Sequence, residues 1–225
     1  MRTHRWLLVL LLLAVPFAAS AQGKDKGKGK GLDEYLRVQA FMAAAPAAEA
    51  TVSRLLTNPF GDVDGVLLDN GMIVTFPPHM GEQLAAAVSA GDPLTIKGYP
   101  ERPTQIKGYV IINNRTKQTL VVQPKPQPGA KIPGHLRGVG LKEMNAEGEV
   151  RHLRYGGRGE VNALILADGT IVRFPRDASF QLASLFQVGQ RISATGYGTE
   201  NEHGRTLEAT ALGPQGQAPQ QLYRR

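Results

Sequence analysis

The chain has 225 residues, of which 42% are hydrophobic, a formal net charge of +7 and no cysteine. A sequence without cysteine excludes disulfides, thiolate metal sites and thiol catalysis. The positive net charge suggests an acidic partner such as a nucleic acid, but the charge sits at the ends. Residues 1–21 contribute +2, residues 22–31 contribute +3 and residues 224–225 contribute +2, whereas 32–223 hold 18 basic and 18 acidic residues. The central chain is therefore balanced.

The first 21 residues have the pattern of a signal peptide. A basic start is followed by an apolar run over 6–15 and by the small residues Ala19, Ser20 and Ala21. The run is short for a membrane span and a hydrophilic stretch follows it, so cleavage before Gln22 is favoured over a retained anchor. We expect an exported protein, either periplasmic or secreted.

Three segments are predicted to lie outside the compact domains. Residues 22–50 combine a flexible Gly/Lys leader with a weak helix between Leu32 and Ala50, interrupted by Pro46. Residues 124–137 form a Pro-rich linker, and 214–225 are expected to be a disordered tail. We expect basic residues in the leader and at the chain end to add weak, salt-sensitive attraction to anionic surfaces. They are Lys24, Lys26, Lys28, Lys30, Arg224 and Arg225.

The remaining chain contains the same pattern twice, in 51–123 and 138–213. Residues 61–99 align with 159–197 at a constant offset of 98 without a gap. Such self-similarity predicts two copies of one structural unit. Val/Leu/Ile-rich runs predict five strands in each copy. In the first copy they are Val52–Leu56, Val63–Leu68, Met72–Phe76, Leu94–Tyr99 and Tyr109–Ile112. In the second they are Val150–Leu153, Val161–Leu166, Thr170–Phe174, Ile192–Tyr197 and Thr206–Leu212.

Turn residues separate these strands at equivalent positions. Asn70-Gly71 and Asp168-Gly169 predict two-residue hairpins with type I′ turns. Between the third and fourth strands, apolar residues at i, i+3 and i+4 predict a helix in each copy, which Gly91 or Gly189 follows. The apolar positions are Leu84, Ala87 and Val88 in the first copy and Leu182, Leu185 and Phe186 in the second.

The order of three strands, one helix and two strands is that of the OB-fold. The pattern running from Gly61 to Tyr99, and again from Gly159 to Tyr197, resembles OB-type domains of exported bacterial proteins, many of them uncharacterised. The resemblance implies an all-β class with minor helix, built as two tandem five-stranded barrels with one helix each. It also implies a ligand face on strands two and three, for oligonucleotide, oligosaccharide or protein.

Candidate binding residues follow from that face and its rim. Aromatic side chains can stack on bases or sugars, but Phe76 and Phe174 share a strand face with core valines, so a core position is favoured for both. For the tyrosines, core and rim are nearly balanced. Arginines of the second copy offer a basic surface, although pairing with Glu147, Glu149 and Glu160 is the favoured interpretation. The candidates are Tyr99, Tyr197, Thr75, Arg173, Arg176 and His79.

No motif predicts catalysis, a metal or a cofactor. The sequence has no G-x-S-x-G, H-E-x-x-H or P-loop motif. Asp62, Asp64 and Asp69 do not match a calcium loop, and no two histidines after residue 21 have metal-ligand spacing. We therefore expect a non-enzymatic binding or scaffold protein, without cofactor or metal, whose ligand or partner is unknown. The alternative is a single-stranded nucleic-acid-binding protein.

Overall fold

Twelve strands form two barrels in a computed structural model that describes residues 36, 39–125 and 140–223. The strands of the first half are β1 (Ala48–Thr57), β2 (Val63–Leu68), β3 (Ile73–Thr75), β4 (Pro93–Arg102), β5 (Gln105–Asn113) and β6 (Thr119–Val121). Those of the second half are β7 (Lys142–Tyr155), β8 (Val161–Leu166), β9 (Ile171–Arg173), β10 (Arg191–Asn201), β11 (Gly204–Pro214) and β12 (Gln220–Gln221).

Each barrel closes through the same pairings. The first sheet runs β3-β2-β1-β4-β5-β6, and a parallel β3–β5 pairing closes five of its strands. The second sheet repeats this topology, with β9 and β11 as its parallel closing pair. A bulge interrupts β1 between Val52 and Arg54, and its equivalent interrupts β7 between Val150 and His152. These pairings confirm the predicted fold class of two five-stranded OB-type barrels.

The hairpins between the second and third strands differ from the predicted type I′ turn. Gly71 and Gly169 have φ of +82° and +90°, but Asn70 and Asp168 do not have positive φ. Their side chains instead accept hydrogen bonds from the backbone N–H of the second residue along, at 3.0 and 2.8 Å. This Asx geometry favours a type I turn followed by a left-handed glycine. The turn positions were predicted, but the turn type was wrong.

Each barrel has a short helical segment between its third and fourth strands, next to an apolar core. The first contains a 3-10 turn (Pro78–Met80) and the helix Gly81–Ala87, and the second contains the helix Ala178–Gln181 and a 3-10 turn (Ala183–Leu185). Phe76 and Phe174 are 4% exposed and lie in the two cores, which confirms the core interpretation. Phe174 also stacks on Phe186, with ring centroids 4.7 Å apart.

The chain outside the barrels differs in part from expectation. Residues 39–43 are helical, within the predicted weak helix, but β1 already begins at Ala48. The predicted disordered tail contains β12, which pairs with β11, and Leu222 packs against the second core. The leader over 22–31, most of the linker and residues 224–225 lie outside the described residues. Within the described ranges, no helix is long and apolar enough to cross a membrane.

Candidate binding grooves between the barrels

The outer faces of strands two and three of the two barrels pack against each other. They form an apolar seam, separate from both barrel cores, that buries six side chains. These are Leu56, Leu67, Ile73, Ala163, Ile165 and Ile171. Leu67 is equivalent to Ile165 and Ile73 to Ile171 by the 98-residue offset, so both copies contribute these two positions. Leu56 and Ala163 have no equivalent in the cluster. The central part of the expected ligand face is therefore covered by the other barrel.

Polar contacts across the seam also come in equivalent pairs. Thr57 Oγ1 lies 2.7 Å from Thr206 Oγ1, and both residues are buried. At the equivalent place, Gln105 Nε2 donates to the Tyr155 carbonyl, and the Tyr155 N–H donates to Gln105 Oε1, both at 2.9 Å. The interface is thus close to isologous, with the same patch used on both sides.

A second pair of equivalent contacts joins β1 to the β8–β9 turn of the second barrel and β7 to the β2–β3 turn of the first barrel. Arg54 Nη1 donates to the Asp168 carbonyl at 3.3 Å, and its guanidinium covers Gly169. His152, equivalent to Arg54, lies over Gly71. A Cβ on Gly169 would overlap the Arg54 guanidinium, so this glycine permits both the left-handed turn and the close approach of the other barrel.

Directly opposed residues across each sheet define an outward row, because such neighbours place their side chains on the same face. The first row is Tyr99, Lys107, Thr75, Gly65 and Leu56. The second row is Tyr197, Glu208, Arg173, Ala163 and Arg154. One end of each row enters the seam, and the other ends in a tyrosine that is 61% exposed for Tyr99 and 48% for Tyr197. The tyrosines therefore lie at the rim.

The first groove follows the first row. It has a volume of about 370 Å³ and lies between Thr75 and Lys107 of the first barrel and the β7–β8 loop of the second, at Tyr155, Gly156 and Gly157. Thr75 donates to the Ile106 carbonyl at 3.3 Å.

The second groove is the equivalent cleft along the second row. It has a volume of about 520 Å³ and lies between Arg173 and Glu208 of the second barrel and the β1–β2 loop of the first, which contributes Phe60. Tyr223 lines it too, and its hydroxyl donates to Glu208 Oε1 at 3.2 Å. Burial raises the pKa of Tyr223 to about 12, and the Glu208 charge acts in the same direction. Burial also raises the pKa of the Glu208 carboxyl.

Arg173 and Asn162 line both grooves, so the two grooves adjoin at that point. Beneath them, the buried Asp64 carboxylate accepts from Arg154 at 2.7 Å and from Arg173 at 3.4 Å. Burial, and next the neighbouring Arg154 charge, lowers the pKa of the Arg173 guanidinium. Asn162 is equivalent to Asp64, yet its Oδ1 is buried without a hydrogen-bond partner among the described residues. The two equivalent halves of the interface therefore differ in charge, because Asp64 is a carboxylate and Asn162 is a neutral amide.

The structure places the predicted site residues at separate points. Thr75, Arg173 and the two tyrosines lie along the rows, whereas Arg176 pairs with Glu160 at 3.4 Å and lines neither groove. His79 Nε2 lies 3.0 Å from the Gln123 carbonyl and lines another cleft, of about 570 Å³, with Glu82 and His203. Among the described residues, no group of three His, Asp or Glu side chains has the arrangement of a metal site. Binding by any of these residues stays a prediction.

The expected pairing of the arginines was correct only in part. Arg176 and Arg151 pair with Glu160 and Glu149, as that interpretation favoured. Arg154 and Arg173 instead cross the seam to Asp64 of the first barrel, and their side chains are 6% and 20% exposed. The sequence pointed to Asp64 only as part of an acidic cluster.

The seam makes stability depend on pH through His152. Burial, followed by the charges of Arg54 and Arg151, lowers the pKa of His152 below 6.5. The unfolded chain therefore takes up this proton first, so the stabilisation is fully present above pH 6.5 and is lost as the pH falls from there through the lower folded-state pKa of His152. We expect the melting temperature to fall between about pH 7.5 and about pH 5.5, and to fall less for His152→Gln. Parallel pH curves for the two proteins would contradict this role.

Comparison with solved structures gives similarities with low TM-scores. No family model matches the chain, and no curated protein matches it. The chain is similar to the crystal structure of the wild-type single-stranded DNA binding protein from Thermus aquaticus, with 14% identity over 77% of this chain and 93% of that chain, and a TM-score of 0.25. A deletion mutant of that protein matches with 14% identity over 76% and 93%, also with a TM-score of 0.25. A likeness at this level carries no conclusion about a ligand.

Proposed function

We propose that this chain is an exported, non-enzymatic binding or scaffold protein whose ligand occupies the two grooves between its barrels. The observation that carries the proposal is the meeting of two equivalent grooves at Arg173 and Asn162. Because each groove takes one wall from each barrel, both barrels would build one composite site. An extended ligand fits this arrangement better than two small molecules, since the grooves adjoin and each row ends in an exposed tyrosine.

Export rests on the sequence of residues 1–21, and a periplasmic or secreted location follows from it. The absence of cysteine from the sequence is compatible with either compartment. The mass of the protein recovered from the periplasmic fraction of a Gram-negative host tests this part of the proposal. Cleavage before Gln22 supports it, and retention of residues 1–21 contradicts it.

Single-stranded nucleic acid is the second candidate ligand. In its favour, Tyr99 lies opposite Lys107, which combines a stacking surface with a cation. In the second row, however, Tyr197 lies opposite Glu208, whose carboxylate would repel a phosphate backbone. The charges of Lys107 and Glu208 therefore favour nucleic acid only at the Tyr99 end of the composite site.

A groove-filling variant tests the binding proposal. Gly157 lines the first groove, and a Cβ added to it meets no atom within 4 Å, so Gly157→Trp adds an indole at the groove wall without a clash at Cβ. Val188→Trp, at a position 62% exposed, is the matched control. Fluorescence anisotropy would measure binding of labelled oligo-dT, neutral oligosaccharides and random-sequence peptides to the full mature chain.

We expect at least one probe to bind the wild type and the control alike, and Gly157→Trp at least about tenfold more weakly. If oligo-dT is that probe, Lys107→Ala should reduce the slope of log affinity against log salt by about 1. Equal binding by both tryptophan variants would place the ligand elsewhere. Mass spectrometry of each probe after incubation checks for turnover, which would contradict a non-enzymatic function.

A further inference from the structure

We propose that the first groove binds an oxyanion, a phosphate or carboxylate group carried by the ligand, through Lys107, Arg154 and Arg173. This inference rests on the proposed function, since it assigns a chemical class to one end of the same composite site. All three cations line the groove, and two of them come from the second barrel while Lys107 comes from the first. The site would therefore exist only when both barrels are in place.

The carboxylates near the groove do not reach the three cations equally. Asp64 lies beneath Arg154 and Arg173, Glu101 lies at the wall, and the Glu208 charge acts on Arg173 from the second groove. The Glu101 Oε2 atom already accepts from Gln105 Nε2 at 3.0 Å, and Gln105 also donates to Tyr155. Within the described residues, no ion pair joins the Lys107 ammonium to any of these carboxylates. Burial, and next the Arg154 charge, lowers the pKa of the Arg173 guanidinium.

The guanidinium groups also retain unused donors. Each guanidinium has five N–H donors. Within the described part of the chain, Arg154 donates two hydrogen bonds and Arg173 one, all to Asp64. The Lys107 ammonium donates none there and lies 5.4 Å from the centre of the Tyr109 ring. Charge-assisted hydrogen bonds to an oxyanion would use these donors, and arginine suits such groups because its donors form a planar fork.

Packing alone does not require the arginines. Their equivalents in the first copy are Leu56 and Thr75, which occupy the same row positions without a charge. Replacing buried ion pairs with well-packed apolar residues is commonly neutral or stabilising, so the fold has an uncharged solution at both places. The arginines therefore add a chemical property, positive charge in the wall of the first groove, that the barrel itself does not need.

Arg173→Thr is the test variant, because it introduces the first-copy residue and leaves the 2.7 Å Arg154–Asp64 pair in place. Arg191→Thr is the matched control: Arg191 is exposed and bonds to Gln215, outside the grooves. Calorimetric titrations of the full mature chain would use inorganic phosphate, phenyl phosphate and acetate at constant ionic strength. The Nε–H NMR signals of Arg154 and Arg173 report on binding at the groove itself.

We expect saturable phosphate binding with a dissociation constant of about 1 mM, accompanied by shifts of both arginine signals. Arg173→Thr should bind at least about tenfold more weakly, and Arg191→Thr like the wild type. A preference for phenyl phosphate or acetate identifies the phosphate or carboxylate class. Equal binding by both variants, or no saturable binding, would overturn the oxyanion site. Phosphate binding does not depend on a polymeric ligand, so its outcome is separate from that of the groove-filling variant.

Discussion

Asp64→Asn is expected to lower the free energy of unfolding by about 3–5 kcal/mol, because it leaves the buried Arg154 guanidinium without its counter-charge. The Arg154 side chain is 6% exposed and bonds to Asp64 at 2.7 Å, so water cannot replace the lost carboxylate well. Arg173 would then add a second uncompensated cation. Urea denaturation of the purified variant and the wild type at neutral pH measures the difference.

The second variant replaces three residues with their equivalents in the other copy of the repeat. Asp64→Asn combined with Arg154→Leu and Arg173→Thr converts each position to its equivalent in the other copy, Asn162, Leu56 or Thr75. With no buried charge left to compensate, the triple variant should unfold within about 1 kcal/mol of the wild type, or be more stable. Glu149→Gln, at a pair with side chains 55% and 30% exposed, is the control and should cost less than about 1 kcal/mol.

The comparison separates two explanations for the loss of stability. If Asp64 acts by compensating buried charge, the triple variant recovers the stability that Asp64→Asn loses. If Asp64 acts by its shape or by backbone contacts, the triple variant stays as unstable as the single one. The same proteins bear on the oxyanion site, since the triple variant lacks both arginines and should not bind phosphate.

Much of the barrel architecture could be predicted from the repeat. The bounds of β2 and β8 agree with the sequence prediction, because Val63–Leu68 and Val161–Leu166 are apolar runs that end at turn residues. The hairpin type was wrong because Asn and Asp can form either turn, and their side-chain bonds to the backbone decide between them. The extra strands β6 and β12 pair with β5 and β11, and β12 contains only two glutamines, which have no apolar pattern.

The seam was not predicted, although one signal for it is present. All six residues of Val63–Leu68 are buried, so β2 is covered on both faces rather than one. A continuous apolar run is typical of such strands, but it does not say whether a helix or a second barrel covers the outer face. The site could not be predicted for the same reason, because Lys107 and Arg173 meet only across the seam. The equivalent apolar residues Leu67 and Ile165 both face outward, and such a pair indicates a shared interface.

The arrangement changes how the two copies relate to function. Had each OB face been free, two separate copies of one site would be expected. Covering both faces leaves the row ends and the loops, and each groove needs a wall from either barrel. Equivalent residues that differ between the copies, such as Thr75 and Arg173, then lie in different parts of one asymmetric site. Apolar residues at equivalent positions, such as Leu67 and Ile165, build the seam, and differences between the copies shape the grooves.

Ile165→Asp is expected to uncouple the barrels. Ile165 is 1% exposed and lies in the seam, with Leu67 and Ile73 of the first barrel in the same cluster. An unpaired carboxylate at this position should cost more than about 4 kcal/mol at the interface. Each barrel keeps its own core, since Leu164 and Leu166 point into the second core from the other face of the strand. Calorimetry should show one transition for the wild type and two for the variant.

Val188→Asp is the matched control, since its position is 62% exposed, and it should melt as the wild type does. Loss of the seam should also abolish binding at the grooves while far-UV circular dichroism stays unchanged, because both grooves have walls from the two barrels. A single transition at the wild-type temperature for Ile165→Asp would show that the seam adds little to stability. Retained phosphate affinity in that variant would show that one barrel suffices for the oxyanion, which would remove the composite site.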